Sequence, residues 1–285
     1  MLQQTRVAAV IERYQEFLRR FPTLQKLAVA REASVLAAWS GLGYYRRARM
    51  LHAAARVIMR EHGGKFPASE EGLRALPGVG RYTAAAVASI AFDNPVAVVD
   101  GNVERVLRRV SGKRMTEEEL WKAANDLLDL KRPGDFNQAM MELGAIACTP
   151  RAPACLTCPV VEVCATRGEL KSDTKPKPQQ KREIHYALTC RSGNDREHEV
   201  LLVRRAQNES LMAGMWELPE GLDGDHASTP AFTLRHSITV TDYTVRVWRD
   251  PASSPIGGEW TPIYRLRKLA LTGLARKILR RAELL

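Results

Sequence analysis

The chain lacks any run of about 18 uncharged apolar residues, the length a membrane-crossing helix requires, so no membrane partner is expected of it. Its opening, MLQQTRVAAVIERYQEF, lacks the charged-then-apolar layout of a secretory signal, which leads to the expectation of a soluble, intracellular protein. Cysteine is scarce: five in 285 residues are too few to staple a chain of this size as a disulfide scaffold. Acid is short as well. Against 43 Lys and Arg stand 32 Asp and Glu, leaving a formal charge of +11. That imbalance suits a polyanion, since each phosphate neutralised releases counterions. An anionic membrane surface or a ribosome would suit it too.

The length accommodates about two domains at roughly 150 residues each. Up to about residue 165 the strand-like alternation of apolar and polar residues is missing, and helical spacing takes its place. Val7, Val10, Ile11, Tyr14, Phe17 and Leu18 recur on one helical face and are expected to be buried. Thr116 and Glu119 have capping-box spacing ahead of Leu120 and Trp121. Asp135 with Gln138 gives a looser start signal for a helix expected to reach about Ala147. The polar, proline-bearing SDTKPKPQQK then reads as linker. Beyond it Ile184, Tyr186 and Leu188 alternate with polar residues, Val200 to Val203 form a short apolar run, and Tyr243, Val245 and Val247 alternate again. Arg265 to Arg281 carry seven basic residues and no acid around Leu269, Leu274 and Ile278, which predicts a closing amphipathic helix. The expected organisation is an all-α domain over 1–165, a linker over 166–183 and a small α+β domain over 184–285.

Four of the cysteines, Cys148, Cys155, Cys158 and Cys164, follow the spacing C-x6-C-x2-C-x5-C. Thiols this crowded ordinarily share a metal, and spacing alone admits zinc or a [4Fe–4S] cluster. Cys190 falls outside the group and reads as a structural or free thiol. Earlier in the chain, Leu76-Pro77-Gly78-Val79-Gly80 followed by Arg81-Tyr82-Thr83-Ala84 has the form of a hairpin between two helices. Glycines there let backbone N–H groups approach a phosphate, with the next helix adding its positive end, although such a turn also occurs as a plain connection. Asp100 in Val98-Val99-Asp100-Gly101-Asn102-Val103 reads, taken alone, as a turn residue.

Hairpin, aspartate and cysteine loop, in this order, resemble the helix-hairpin-helix DNA glycosylases of the endonuclease III superfamily. Gly41-Leu42-Gly43-Tyr44-Tyr45 and the start MLQQTRV narrow the resemblance to the MutY type of adenine glycosylase. The resemblance implies a multidomain protein: an all-α glycosylase domain whose 148–164 loop holds [4Fe–4S] through the four cysteines, plus a degenerate Nudix-like domain. It implies double-stranded DNA with an adenine mispaired with 8-oxoguanine as partner, and a monomer that is cytoplasmic and nucleoid-associated in a bacterium. Asp100 would be catalytic, stabilising an oxocarbenium-like sugar, with Tyr82 and Asn102 supporting it. Bifunctional relatives have a lysine where Tyr82 stands, so hydrolysis without strand cleavage is expected. Gly78, Val79 and Gly80 would bind DNA, Gln4 and Tyr44 would wedge into the stack, Thr5 would sit near the oxidised guanine, and Gln138 would face the flipped adenine.

In the second domain the resemblance rests on Val200-Leu201-Leu202-Val203-Arg204-Arg205 and Gly214-Met215-Trp216-Glu217-Leu218-Pro219. GLDGDHASTPAF offers none of the glutamates a working Nudix hydrolase uses to bind metal, so nucleotide hydrolysis is not expected. Leu234, Arg235, His236 and Ser237 would lie near the lesion base, but Ile238, Thr239 and Val240 replace the family's Phe-Ser-His triplet. The family's general acid is a glutamate two residues before the methionine that is Met1 here. The expectation is therefore an N-terminally truncated chain that binds lesion DNA and excises adenine slowly. Three other readings fit parts of the pattern: a catalytically silent lesion-binding protein, a mismatch glycosylase of different base specificity, and a cluster-bearing electron carrier.

Overall fold

The computed structural model describes residues 1, 5, 7–170, 179–192, 198–209, 211–220, 229–238, 240–249 and 257–285, with backbone alone at 7–9 and 238. Nine α-helices among them precede residue 165: α1 Val7–Arg20, α2 Leu24–Ala28, α3 Glu32–Trp39, α4 Arg46–Glu61, α5 Glu70–Arg74, α6 Arg81–Phe92, α7 Gly101–Ser111, α8 Glu117–Leu127 and α9 Pro133–Glu142. Seven strands follow: β1 Gln180–Leu188, β2 Cys190–Ser192, β3 His198–Arg204, β4 Trp216–Glu217, β5 Phe232–Ile238, β6 Thr241–Arg249 and β7 Glu259–Pro262, and α10 Gly273–Arg281 closes the chain. No helix among the described residues is long and apolar enough to cross a membrane.

The chain divides into two compact units that do not follow chain order. One is Arg56–Lys175; the other joins Met1–Ala55 to Pro176–Leu285.

In the unit Arg56–Lys175, small residues let the helices approach closely. Ala84, Ala85 and Ala88 of α6 are fully buried. Gly134 of α9 lies so near α6 that a Cβ there would stand 2.8 Å from the Ser89 carbonyl oxygen. Val103 and Leu107 of α7 share a core with Leu120, Ala124 and Leu128. The expected capping box starts α8: Thr116 Oγ1 accepts from Glu119 N at 3.3 Å, and Glu119 Oε2 accepts from Thr116 N at 2.7 Å. The helix expected to run to Ala147 ends as α-helix at Glu142 and widens into a π turn over Leu143–Ala147. The widening seats Gly144 against Asn102, where a Cβ would meet the Asn102 Cβ at 2.6 Å.

In the other unit, α1 corrects the sequence reading. Val10 and Phe17 are buried, and Phe17 meets Trp39 edge to face at 6.1 Å, but Ile11, Tyr14 and Leu18 are exposed. The covered stripe runs through Val10, Phe17 and Phe21, narrower than the six-residue face, and the Val7 side chain lies outside the described residues. In the β part, β1 runs parallel to β6 with Ile184 opposite Val245 and Tyr186 opposite Val247, and β5 pairs antiparallel with β6. A second sheet sets β2, β4 and β7 on β3. Inward-facing Tyr186, Leu188, Val200, Leu202, Val245 and Val247 form one core with Leu274, Ile278 and Leu279 of α10. Strand β1 starts at Gln180, inside the stretch expected to be linker, because Gln180–Arg182 already pair with Thr241–Tyr243. The basic tail is not one helix either. A 3-10 turn, Ile263–Lys268, is parted from α10 by a segment whose Ala270 oxygen accepts from Trp216 N at 2.9 Å.

Candidate active site and cysteine loop

Asp100 is delivered by an extended segment pinned on both sides. Val98 N donates to Asn137 Oδ1 at 3.0 Å, while Asn137 Nδ2 donates to the Val96 oxygen and to Ser89 Oγ, each at 2.9 Å. Asn125 Oδ1 accepts from Ala97 N at 3.1 Å. Asn137 is almost wholly buried, and with four polar contacts fixed nearby the segment has little freedom. It ends at Asp100, the N-cap of α7. Asp100 Oδ1 accepts from the backbone N–H of Asn102 and of Val103, both at 2.8 Å, and Oδ2 accepts from Asn102 Nδ2 at 3.1 Å. The carboxylate thus sits half-buried against the positive end of a helix, with its orientation fixed.

The hairpin precedes it. Gly78 has φ +74°, a left-handed backbone that favours glycine, and Val79 N closes the turn on the Leu76 oxygen at 3.1 Å. Gly80 caps α6 without any side-chain hydrogen bond, and a Cβ there would meet nothing within 4 Å. This open helix start is where a phosphate oxygen can approach. Tyr82, two residues on, packs beside Val98 and Trp121 and donates to Met141 Sδ at 3.6 Å. Burial first, and then the Asp100 charge, push its phenol up, so a neutral hydroxyl stands near the carboxylate.

Two arginines four residues apart on α7 join this site to the cysteines. Arg105 Nη2 donates to Asn102 Oδ1 at 2.8 Å and to the Gly144 oxygen at 2.5 Å, while its Nε donates to the Cys148 oxygen at 2.6 Å. Arg109, only 3% exposed, donates to the Thr149 and Pro150 oxygens at 2.7 and 3.1 Å and to Cys148 Sγ at 3.3 Å. Cys148, Cys155, Cys158 and Cys164 line one cavity with Arg109 and Val106, and all are free of disulfides. They do not converge on the geometry of a single metal ion among the described residues.

The remaining predicted residues are scattered. Gln138 is exposed on α9, its amide returned to the Gly134 oxygen at 3.2 Å. Gln4 lies outside the described residues. Thr5 Oγ1 accepts from Arg47 Nη2 at 2.9 Å, and Arg47 also donates to the Leu42 oxygen at 3.3 Å and lies 5.3 Å from the Tyr44 ring centroid. Tyr44 is 52% exposed with φ +46°, on a tight loop held by glycines. On β5, His236 is half-buried beside Lys277, and Ser237 Oγ donates to Asp242 Oδ1 at 2.5 Å. Val240 is exposed, whereas the Ile238 side chain, Thr239 and residues 221–228 of GLDGDHASTPAF lie outside the described residues.

Sequence reasoning overlooked Arg47, Arg105, Arg109, Asn125 and Asn137. Arg105 and Arg109 did leave a signal, since basic residues four apart share one helix face.

An open hairpin, a helix-capping aspartate and a four-cysteine loop thus follow one another along the chain. Residues 1–129 match the HhH-GPD superfamily of base excision DNA repair proteins. The chain is 36% identical to the mouse adenine DNA glycosylase over 99% of its own length and 70% of that protein. It is 49% identical to the human adenine DNA glycosylase over 61% of its length and 33% of that relative. Among solved structures, a thermostable thymine-DNA glycosylase superposes with TM-score 0.55 at 30% identity, covering 58% of this chain and 79% of that one. A trapped endonuclease III–DNA covalent intermediate gives TM-score 0.53 at 25% identity over the same shares of the two chains. The chain belongs to the adenine DNA glycosylases, base-excision repair enzymes of the endonuclease III superfamily.

Proposed function

We propose that this chain hydrolyses the N-glycosidic bond of an adenine mispaired with 8-oxoguanine, or with guanine, in double-stranded DNA. The observation that carries the reading is the Asp100 carboxylate, held by three hydrogen bonds at the start of α7. As the bond to adenine breaks, positive charge spreads over the sugar, and a fixed anion stabilises it without having to reorganise. Asn102 orients that carboxylate, Tyr82 supports the reacting sugar beside it, and Gly78, Val79 and Gly80 present backbone to a phosphate. With a phenol rather than an amine at position 82, no Schiff base forms and the abasic strand stays intact. Asp100 serves the sugar, and the proton for the departing purine comes from a second group.

The recognition parts follow the same scheme. Tyr44, Gln4 and Thr5 engage the opened stack, Gln138 meets the extruded adenine, and His236 and Ser237 of a Nudix-like α+β domain contact the oxidised guanine. The four cysteines line one cavity and would hold the [4Fe–4S] cluster that the resemblance implies. The buried Arg109 beside Cys148, whose Nε has no partner among the described residues, would face that anionic group. When bound, the cluster supplies negative charge and a rigid loop rather than a reacting atom.

The test is single-turnover excision from a duplex with one 8-oxoguanine–adenine pair, with affinity measured alongside. Adenine release without strand cleavage, from a duplex bound more tightly than a matched one, is expected. A chain that binds this duplex no better than a matched one refutes the reading.

A further inference from the structure

Arg276 of α10 is a buried cation with no carboxylate paired to it among the described residues. It is 7% exposed, its Nε donates to Ser40 Oγ at 3.0 Å, and that hydroxyl in turn donates to the Leu271 oxygen at 2.9 Å. The charged groups acting on it are two more arginines. Burial first, then Arg13, and further along Arg280, push its guanidinium down to about 10, with Tyr45 opposing. The cluster converges over Gly41. A Cβ on that residue would stand 3.8 Å from Arg276 Cδ and 3.9 Å from Arg13 Nη2, so both side chains lie beside the Gly41 backbone, whose φ is +99°. Arg280 is exposed one turn along α10 from Arg276, on the same helix face. Glu16, one turn along α1 from Arg13, is paired with Arg19 at 2.6 Å and feels the charge of Arg13 more weakly. Two like charges beside one buried guanidinium are unfavourable unless an anion joins them.

We propose that Arg13, Arg276 and Arg280 bind a phosphate group, that of a DNA backbone passing the Tyr44 loop. The neighbourhood selects this source. Gly41 opens the turn that presents the exposed Tyr44 ring, and cations beside an exposed aromatic suit a nucleic-acid strand whose base stacks on the ring while its phosphate is neutralised. The proposal rests on the reading that the chain binds duplex DNA. It adds a contact outside the helix-hairpin-helix, contributed jointly by the first and the last helix.

The test compares the full-length chain with R13Q/R280Q, leaving Arg276 and its Ser40 contact in place. Duplex affinity is measured across a salt series, and thermal unfolding with and without inorganic phosphate. Losing one phosphate contact lowers the slope of log K against log salt by about one, equally for matched and lesion duplexes. The stabilisation that inorganic phosphate gives the parent is expected to vanish in the variant. Each single variant should give a smaller loss of the same kind, with an unfolding temperature in phosphate-free buffer no lower than the parent's, since a like charge has been removed. An unchanged salt slope in the folded double variant overturns the proposal. If phosphate stabilisation alone is lost, the cluster takes a free anion and the DNA assignment is wrong. A parent chain that binds no duplex refutes the functional reading itself, a result distinct from a parent that binds with a slope the variant does not alter.

Discussion

Asp100 does two things at once, and substitution can separate them. It caps α7 through Oδ1, and its charge is the proposed stabiliser of the transition state. Asparagine caps a helix about as well as aspartate, so Asp100→Asn keeps the bonds from Asn102 N and Val103 N. Its amide nitrogen, however, would face Asn102 Nδ2, a donor opposite a donor. Asn102 cannot simply turn over, because its oxygen accepts from Arg105 at 2.8 Å. One lost hydrogen bond costs about 1 kcal/mol, and removing charge from the helix start costs about 0.3–1 kcal/mol more. Asp100→Ala loses the cap itself, about 0.5–2 kcal/mol, together with both oxygens. The two variants should therefore unfold within a few degrees of each other and of the parent. Excision should fall far more steeply, by about 10²–10³ for loss of one preorganised electrostatic contact, and in both variants alike. Single-turnover rates at saturating duplex, with unfolding temperatures from the same preparations, decide it. An Asp100→Asn protein that excises within tenfold of the parent would mean that this carboxylate only caps a helix.

Gly144→Ala should be disruptive although it adds one methyl group, since that methyl falls 2.9 Å from the Asn102 Cα; a loss of about 1–3 kcal/mol in denaturant unfolding is expected. Asn137→Ala strips partners from Val98 N, the Val96 oxygen and Ser89 Oγ in a buried place, which should cost about 3 kcal/mol or more and slow excision by loosening the segment that ends at Asp100. Cys158→Ser should lower the iron and acid-labile sulfide recovered per chain and reduce duplex affinity, and full iron content in that variant would argue against the cluster. Burial, and then Lys277, hold the His236 imidazole below its ordinary value, so the unfolded chain takes up a proton that the folded chain refuses. Stability from this group is complete above the unfolded pKa of about 6.5 and is lost as pH falls through it toward the folded value. His236→Gln should flatten that part of the stability profile.

The legible parts of the molecule were those governed by local rules. The Thr116–Glu119 cap, the hairpin glycines and the strand alternation each depend on neighbours within a few residues, and each appears where the spacing predicted. Asp100 could be singled out by its order among motifs, but its capping bonds needed a backbone. Asn137 and Arg105 left faint traces because their work is done across 39 or more residues, at the Val98 amide and at the Gly144 and Cys148 oxygens. Helical periodicity placed Ile11, Tyr14 and Leu18 on an apolar face, yet periodicity cannot say how wide a stripe the neighbouring helices will cover. The same blindness to distant contacts led the basic tail to be read as one helix, when Ala270 and Thr272 bond with Trp216 between its two parts.

The grouping of the first 55 residues with the last part of the chain bears on how the protein is made. Ser40 and Tyr45 both donate to the oxygen of Leu271, a residue 231 and 226 positions further on. On a ribosome, the unit Arg56–Lys175 has all of its own residues in hand while the roughly 110 of Pro176–Leu285 are still unmade. At about 5–20 residues per second those take about 5–20 s to appear. Through that interval the surfaces of α3 and the Gly41 loop that later meet Leu271 and Arg276 stand open to chaperones and to other nascent chains. Helices synthesised before the unit Arg56–Lys175 are finished after it.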